Sequence, residues 1–238
     1  MKTKLNRRSA IKLGVLAGII GATPFLLPRR KIENPYLDCF NKLPNSFKRS
    51  GALINDPLNR STPPEVKSER ARLVHAYSWA VPTEDAIRAI SKFSRRDGLV
   101  DFGAGTGYWA HLLKQSGTDV VAVDNWSTEH PSKLFSPVIT GSFDRLPENR
   151  DRALLMVWPL GMRNEMASRA LDAWDGNKLV YVGEQTFIRG TSRATANPRF
   201  LDAIHDGWRL VGTETLPQWF NQDDGVFLYE RKPSPFFI

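Results

Sequence analysis

Apolar positions along this chain fall into three regimes. Leu13 to Leu27 is an almost continuous apolar run, broken by Gly14, Gly18, Gly21 and Pro24. From Glu33 to Lys67 no helical or strand period survives. Asn34-Pro35, Leu43-Pro44-Asn45, Asp56-Pro57 and Thr62-Pro63-Pro64 punctuate that stretch, which reads as a linker or an arm lying over a domain. After Glu65 the pattern becomes periodic. Val66, Ala71, Val74 and Tyr77 fall roughly on one face of a helix predicted over 65–77. Thr83 is placed to cap a second helix, whose first turn carries Glu84 and Asp85 at the positive end of the dipole. Ala86, Ile87, Ala89, Ile90 and Phe93 then recur at helical spacing, and Gly98 ends the segment.

From Leu99 onward short apolar runs alternate with helical ones. Strands are predicted at 99–102, 119–123, 137–140, 153–158 and 178–182, with helices at 108–115, 164–174 and near 198–205. Two more strands, at 209–216 and 226–230, are joined by the turn Asp223-Asp224-Gly225. Such alternation predicts an α/β fold with a doubly wound, mostly parallel sheet. No helix separates the last two strands, so they should pair antiparallel. The chain divides into a leader (1–31), an arm (32–67), one α/β domain (68–232) and a short tail (233–238). It contains no internal repeat and no low-complexity tract.

Charge changes this picture only at the front. The 238 residues carry a net charge of +8, which suggests nucleic acid until it is mapped. Met1 to Lys31 holds eight Lys and Arg and no acid, and the remaining 25 basic residues are matched by 25 acidic ones. A nucleic-acid footprint belongs on the folded domain itself, so no specific nucleic-acid signal is present. Cys39 is the only cysteine, and it forms no metal-ligand spacing with His75, His111, His130 or His205. No metal site is expected.

The leader has a shape of its own. Lys2, Lys4, Arg7, Arg8 and Lys12 precede the apolar run, the order of a secretory signal. Within it, Asn6-Arg7-Arg8-Ser9-Ala10-Ile11-Lys12 resembles a bacterial twin-arginine signal, departing from it at Asn6 and at the small Ala10. The run is short for a spanning helix, which needs about 20 apolar residues, and Ile20-Gly21-Ala22 is a mediocre cleavage site. Two readings stand: an exported protein with a cleaved signal, or an uncleaved anchor with a domain facing the cytosol. Either associates residues 1–31 with a membrane.

The chemistry concentrates in Val100-Asp101-Phe102-Gly103-Ala104-Gly105-Thr106-Gly107-Tyr108. A strand that ends in a glycine-rich turn lets backbone approach a ligand where side chains would block it. Asp101 lies two residues before the first glycine, and Asp124 ends the next strand, where an acid can take both hydroxyls of a ribose. A dinucleotide fingerprint would need its third small residue at Tyr108. Here the glycine stands one place early, at Gly107.

Acid-x-Gly-x-Gly-x-Gly, followed by an acid after the second strand, resembles class I S-adenosylmethionine-dependent methyltransferases from about His75 to Arg231. That resemblance implies a seven-stranded sheet with the last strand antiparallel, and S-adenosyl-L-methionine as cofactor. It places Asp101 at the methionine end, shapes the pocket with Gly103, Gly105 and Gly107, and puts Asp124 on the ribose. Asn125 and Trp126 would flank the adenine, with Ser142 and Phe143 as further adenine candidates. Tyr77-Ser78-Trp79-Ala80-Val81-Pro82, Val157-Trp158-Pro159 and Tyr181-Val182-Gly183-Glu184 resemble a poorly characterised methyltransferase-like group. That group has Trp-Pro-Pro after the fourth strand, whereas this chain has Trp158-Pro159-Leu160.

Methyl transfer from a sulfonium requires alignment and exclusion of water more than acid–base machinery. The expected rim residues are Trp158, Pro159, Asp144 and Glu184, with Glu184 as general base or anchor for a substrate amine. A helix cap or solvated loop acid is the structural alternative for Glu184. Trp79 and Tyr77 could lid the pocket or belong to the core. The implied activity is methyl transfer to a small molecule or to an exposed protein or lipid group. The alternatives are a non-catalytic binding module on the same fold and an NAD(P)-linked oxidoreductase, the latter disfavoured by the loop spacing.

Overall fold

The computed structural model describes residues 31–49, 62–126, 130–161, 163–185 and 195–233. The leader through residue 30, the middle of the arm and the tail beyond 233 lie outside the described residues. Among the described residues, no helix is long and apolar enough to cross a membrane.

Among the described residues, seven strands form one sheet. In chain order they are β1 (Leu99–Phe102), β2 (Val120–Asp124), β3 (Ile139–Thr140), β4 (Ala153–Val157), β5 (Lys178–Gly183), β6 (Trp208–Thr215) and β7 (Gly225–Arg231). They lie side by side as β3-β2-β1-β4-β5-β7-β6. The pairs from β3 through to β5 are parallel. Strand β7 enters between β5 and β6 and runs antiparallel to both. This is the doubly wound, mostly parallel sheet with a reversed last strand expected of a class I methyltransferase fold.

Helices cover both faces: α1 (Pro35–Lys42), α2 (Pro64–Ala76), α3 (Glu84–Phe93) and α4 (Tyr108–Gln115) come first, then α5 (Met166–Ala173) and α6 (Pro198–Gly207). Strand side chains alternate between two cores, as a period of two requires. Leu99, Leu155, Val180 and Val182 pack with the first four helices. Val100, Phe102, Leu154, Met156 and Tyr181 pack with the last two. The apolar runs carry little polar–apolar alternation because both faces of a parallel sheet are covered.

Two local expectations need correction. The stretch read as loop contains α1. Asn34-Pro35 is a helix start rather than a turn: Asn34 Oδ1 accepts from Leu37 N at 3.1 Å, and Pro35 sits where its missing N–H costs nothing. Tyr36 and Phe40 are buried and join the first core with Ile32, so the arm supplies core rather than lying over it. On α2 the buried residues are Val66 and Leu73, while Ala71 is exposed. The face through Ala71, Val74 and Tyr77 turns instead toward a cavity. The cap on α3 is as expected, with Thr83 Oγ1 accepting from Ala86 N at 3.1 Å.

Candidate active site

The site is built where the parallel strands end. Past β1, the chain turns through Gly103, Gly105 and Gly107 at φ of 78°, 54° and 70°, all left-handed. Glycine takes this conformation freely, whereas other residues are strained in it. Gly107 then caps α4. A Cβ added at Gly105 would meet no protein atom within 4 Å, so this backbone faces open space.

Two cavities open on either side of the loop. The first, about 460 Å³, is lined by Gly103 and Gly105, by Asp124, Asn125 and Trp126 after β2, by Ser142 and Phe143 after β3, and by Val157 and Trp158 at the end of β4. The second, about 550 Å³, lies between the loop and α2, with Asp101, Ala104 and Thr106 on one wall and Arg70, Val74 and Tyr77 on the other. Gly103, Gly105, Trp79 and Val157 line both. Each is of the size that holds a small molecule. All the residues expected around ribose and adenine face the first cavity, and Asp101 faces the second. Gly107 lies behind the loop, where a Cβ would press on Val138 and Ser136.

The two acids differ in environment. Asp101 is 1% exposed and its Oδ2 has no hydrogen-bond partner. Burial, and then the Asp124 charge, push its carboxyl up to about 7, partly offset by the Ala110 amide and Lys114. Asp124 is half-exposed and already engaged: Oδ2 accepts from Gly105 N at 2.7 Å and Oδ1 from Trp126 N at 2.6 Å. It therefore braces the glycine loop against the loop after β2. A carboxylate has about four acceptor positions, so both oxygens retain lone pairs for further donors.

The rim after β4 is strained. Trp158 and Leu160 adopt φ of 51° and 55°, and Trp126 across the first cavity adopts 46°. Left-handed non-glycine residues cost on the order of 1–3 kcal/mol each and persist where the surroundings impose them. Trp158 is imposed upon from several sides. Its N–H donates to Val182 O at 2.9 Å, its Nε1 donates to Asp224 Oδ1 at 2.7 Å, and its ring stacks on Trp79 with centroids 5.2 Å apart. Pro159 is buried and lines neither cavity. It fixes the turn that presents Trp158.

Glu184, expected on the active rim, is only 4% exposed and lines neither cavity. Its Oε1 accepts from Asp223 N at 2.6 Å, which ties the β6–β7 turn to the end of β5. In this arrangement it is a brace. Asp144 caps its own turn, with Oδ1 accepting from Ser142 N at 3.0 Å.

The residues that sequence reasoning missed are Arg70 and Asp224. The Arg70 guanidinium lies 5.5 Å from the Trp79 ring centroid and 4.9 Å from that of Trp158. Asp224 is 3% exposed beneath Trp158. Burial pushes its carboxyl up to about 7, against the Trp158 hydrogen bond and the Arg70 charge, which pull it down. The signal for Arg70 was present: Lys67, Arg70, Ala71, Val74 and Tyr77 have helical spacing, and all line the second cavity.

No protein-family model and no curated protein matches the chain. Similar solved structures include a magnesium protoporphyrin IX methyltransferase from Synechocystis PCC 6803, at 12% identity and TM-score 0.41 over 62% of this chain and 81% of that one. A SAM-dependent methyltransferase from Aquifex aeolicus is similar at 14% identity and TM-score 0.41, over 68% and 97%. A precorrin-6y C5,15-methyltransferase from Geobacter metallireducens GS-15 is similar at 11% identity and TM-score 0.43, over 65% and 90%. Likenesses this weak decide nothing about activity. The fold rests on the sheet order, and the chemistry on the loop and its two acids.

Proposed function

We propose that this chain binds S-adenosyl-L-methionine across its two cavities and transfers the methyl group to an acceptor, a small molecule or an exposed protein or lipid group. One observation carries the reading: a glycine loop whose middle glycine faces open space, flanked by Asp101 with a buried, unpartnered oxygen and by Asp124 with lone pairs to spare. These residues fit the cofactor. Asp101 would receive its ammonium end, and a cation there would return the raised carboxyl to its ionised form. Asp124 would accept from the ribose hydroxyls, with Asn125, Trp126, Ser142 and Phe143 around the base.

When bound, this cofactor supplies an activated methyl: the acceptor's lone pair forms the new bond to carbon, the carbon–sulfur electron pair stays on sulfur, and the acceptor's proton is released. The protein's part is to align and to dry the site. Trp79 and Trp158, stacked where the two cavities meet, provide an apolar wall that excludes water from the reacting atoms.

Titration calorimetry of the full chain with S-adenosylmethionine and S-adenosylhomocysteine tests the reading, with binding of both expected. Binding of NADH but of neither sulfur nucleoside would overturn it. For the leader we propose membrane targeting by residues 1–31. Cells expressing full-length and leader-deleted chains should partition them differently, and Arg7→Lys with Arg8→Lys should abolish export if the pair acts as a twin-arginine signal. Equal distribution of the full-length and leader-deleted forms would remove the targeting role.

A further inference from the structure

Beyond the glycine loop, the far wall of the second cavity has a chemistry of its own. Arg70 projects from α2 into it, packed against both stacked indoles. Its Nε is shut from bulk water and has no hydrogen-bond partner, and one Nη makes only a long contact, 3.4 Å, to Gln222 Oε1. A buried donor left unmade costs about 1–3 kcal/mol, which an oxygen arriving from the cavity would recover. Lys67 lines the same wall one turn earlier. The acids that act on Arg70 are Asp224 and Glu184. Asp224 Oδ1 accepts from Trp158 Nε1 while its buried Oδ2 has no partner, Glu184 Oε1 accepts from Asp223 N, and neither residue lines the cavity. The only carboxylate on the cavity wall among the described residues is Asp101. Ala71, Val74, Tyr77, Trp109 and Phe220 supply the apolar part of the wall, with Trp79 45% exposed, while His75, Ser78, Thr106 and Gln222 add polar groups to it.

We propose that this wall is the acceptor subsite, and that it takes an acceptor with a flat apolar body and a carboxylate, the body on Trp79 and the carboxylate on Arg70 with Lys67 beside it. The proposal rests on the methyltransferase reading, which makes Asp101 and the loop the cofactor's side of the same cavity. An arginine Nε–H and Nη–H form a planar fork matched to two carboxylate oxygens, and the indoles hold that fork in place from below. A neutral amide can offer the fork one carbonyl oxygen and no charge, against two charged oxygens from a carboxylate, so discrimination is built into the site.

The test uses two probes of the same shape, 2-naphthoate and 2-naphthamide, titrated by calorimetry into the full chain saturated with S-adenosylhomocysteine. Naphthoate should bind at least about tenfold more tightly than the amide, equivalent to about 1.4 kcal/mol. In Arg70→Gln that preference should fall below about twofold, while Arg70→Lys should keep part of it. S-adenosylhomocysteine affinity should stay within about twofold in both variants, and Trp79→Ala should weaken both probes. Equal binding of the two probes, binding of neither, or an unchanged preference in Arg70→Gln overturns the proposal. A tenfold loss of S-adenosylhomocysteine affinity in Arg70→Gln also overturns it, because Arg70 would then belong to the cofactor. If the wild type binds no sulfur nucleoside, the methyltransferase reading fails by itself. The naphthoate–naphthamide comparison on the ligand-free protein then still decides whether the anion site exists.

Discussion

Gly105→Ala separates backbone strain from ligand contact more cleanly than any change to a charged residue. Gly105 sits at φ 54° with nothing within 4 Å of an added Cβ, and it lines both cavities. Gly117 sits at φ 88°, also with nothing within 4 Å, and lines neither. Placing alanine in the left-handed region costs about 1–2 kcal/mol. For a chain of this size each kcal/mol lowers Tm by about 2–4 °C. Both variants should therefore melt about 2–8 °C below the wild type. Only Gly105→Ala puts its methyl into the space a bound nucleoside must occupy. Its S-adenosylhomocysteine Kd should rise at least about tenfold, or about 1.4 kcal/mol, while Gly117→Ala should bind like the wild type. Differential scanning fluorimetry and calorimetry on the pair supply both numbers. Matched Kd values for the two variants would refute the placement of the ligand against this loop.

Asp124→Ala should raise the S-adenosylhomocysteine Kd at least about tenfold, because it removes the acceptor proposed for the ribose hydroxyls. It should also lower Tm, since the same carboxylate holds the Gly105 and Trp126 amides; wild-type affinity in calorimetry would displace the ribose from Asp124. Val123→Ala removes two methyl groups from a fully buried site, about 1.6 kcal/mol at about 0.8 per carbon before any cavity contribution. Its melting temperature should fall with little change in affinity. Asp224 titrates near 7 when folded and near 3.8 when unfolded. A raised folded value means that its contribution to stability is complete below about pH 4 and is lost as pH rises to about 7. Asp224→Asn keeps an acceptor for Trp158 Nε1 and cannot ionise, so its Tm relative to wild type should improve from pH 5 to pH 8. An unchanged difference between the two pH values would show that Asp224 does not carry that burial penalty.

Strands β1, β4 and β5 were legible because burial on both faces leaves unbroken apolar runs, and the helices from residue 65 onward because their apolar residues keep helical spacing. Strands β3 and β6, largely exposed, were legible from their place in the alternation. The glycine loop was legible because positive φ and close approach both demand glycine. What was not legible has identifiable causes. Helix α1 is eight residues long and begins at an Asn-Pro pair, which serves equally as a turn or as a cap with proline in the first position. Trp126 and Trp158 take left-handed conformations that nothing in their residue type announces. Glu184 follows a strand, as a catalytic acid would, yet its carboxylate turns back to Asp223. Arg70 was hidden because the spacing of Val66, Ala71, Val74 and Tyr77 marks one face of α2, and helical spacing cannot tell a core face from a cavity face.

The reversed last strand has a practical consequence. Because β7 runs against its neighbours, it begins at Gly225 beside the cavities and ends at Arg231 beside Lys178 and Trp208, where β5 and β6 start. The chain thus leaves the sheet at the end opposite the pocket. A label or surface tether fused directly after Pro233 is carried from that side, so surface plasmon resonance on a chain immobilised there can leave the cavities open to the proposed nucleoside and acceptor.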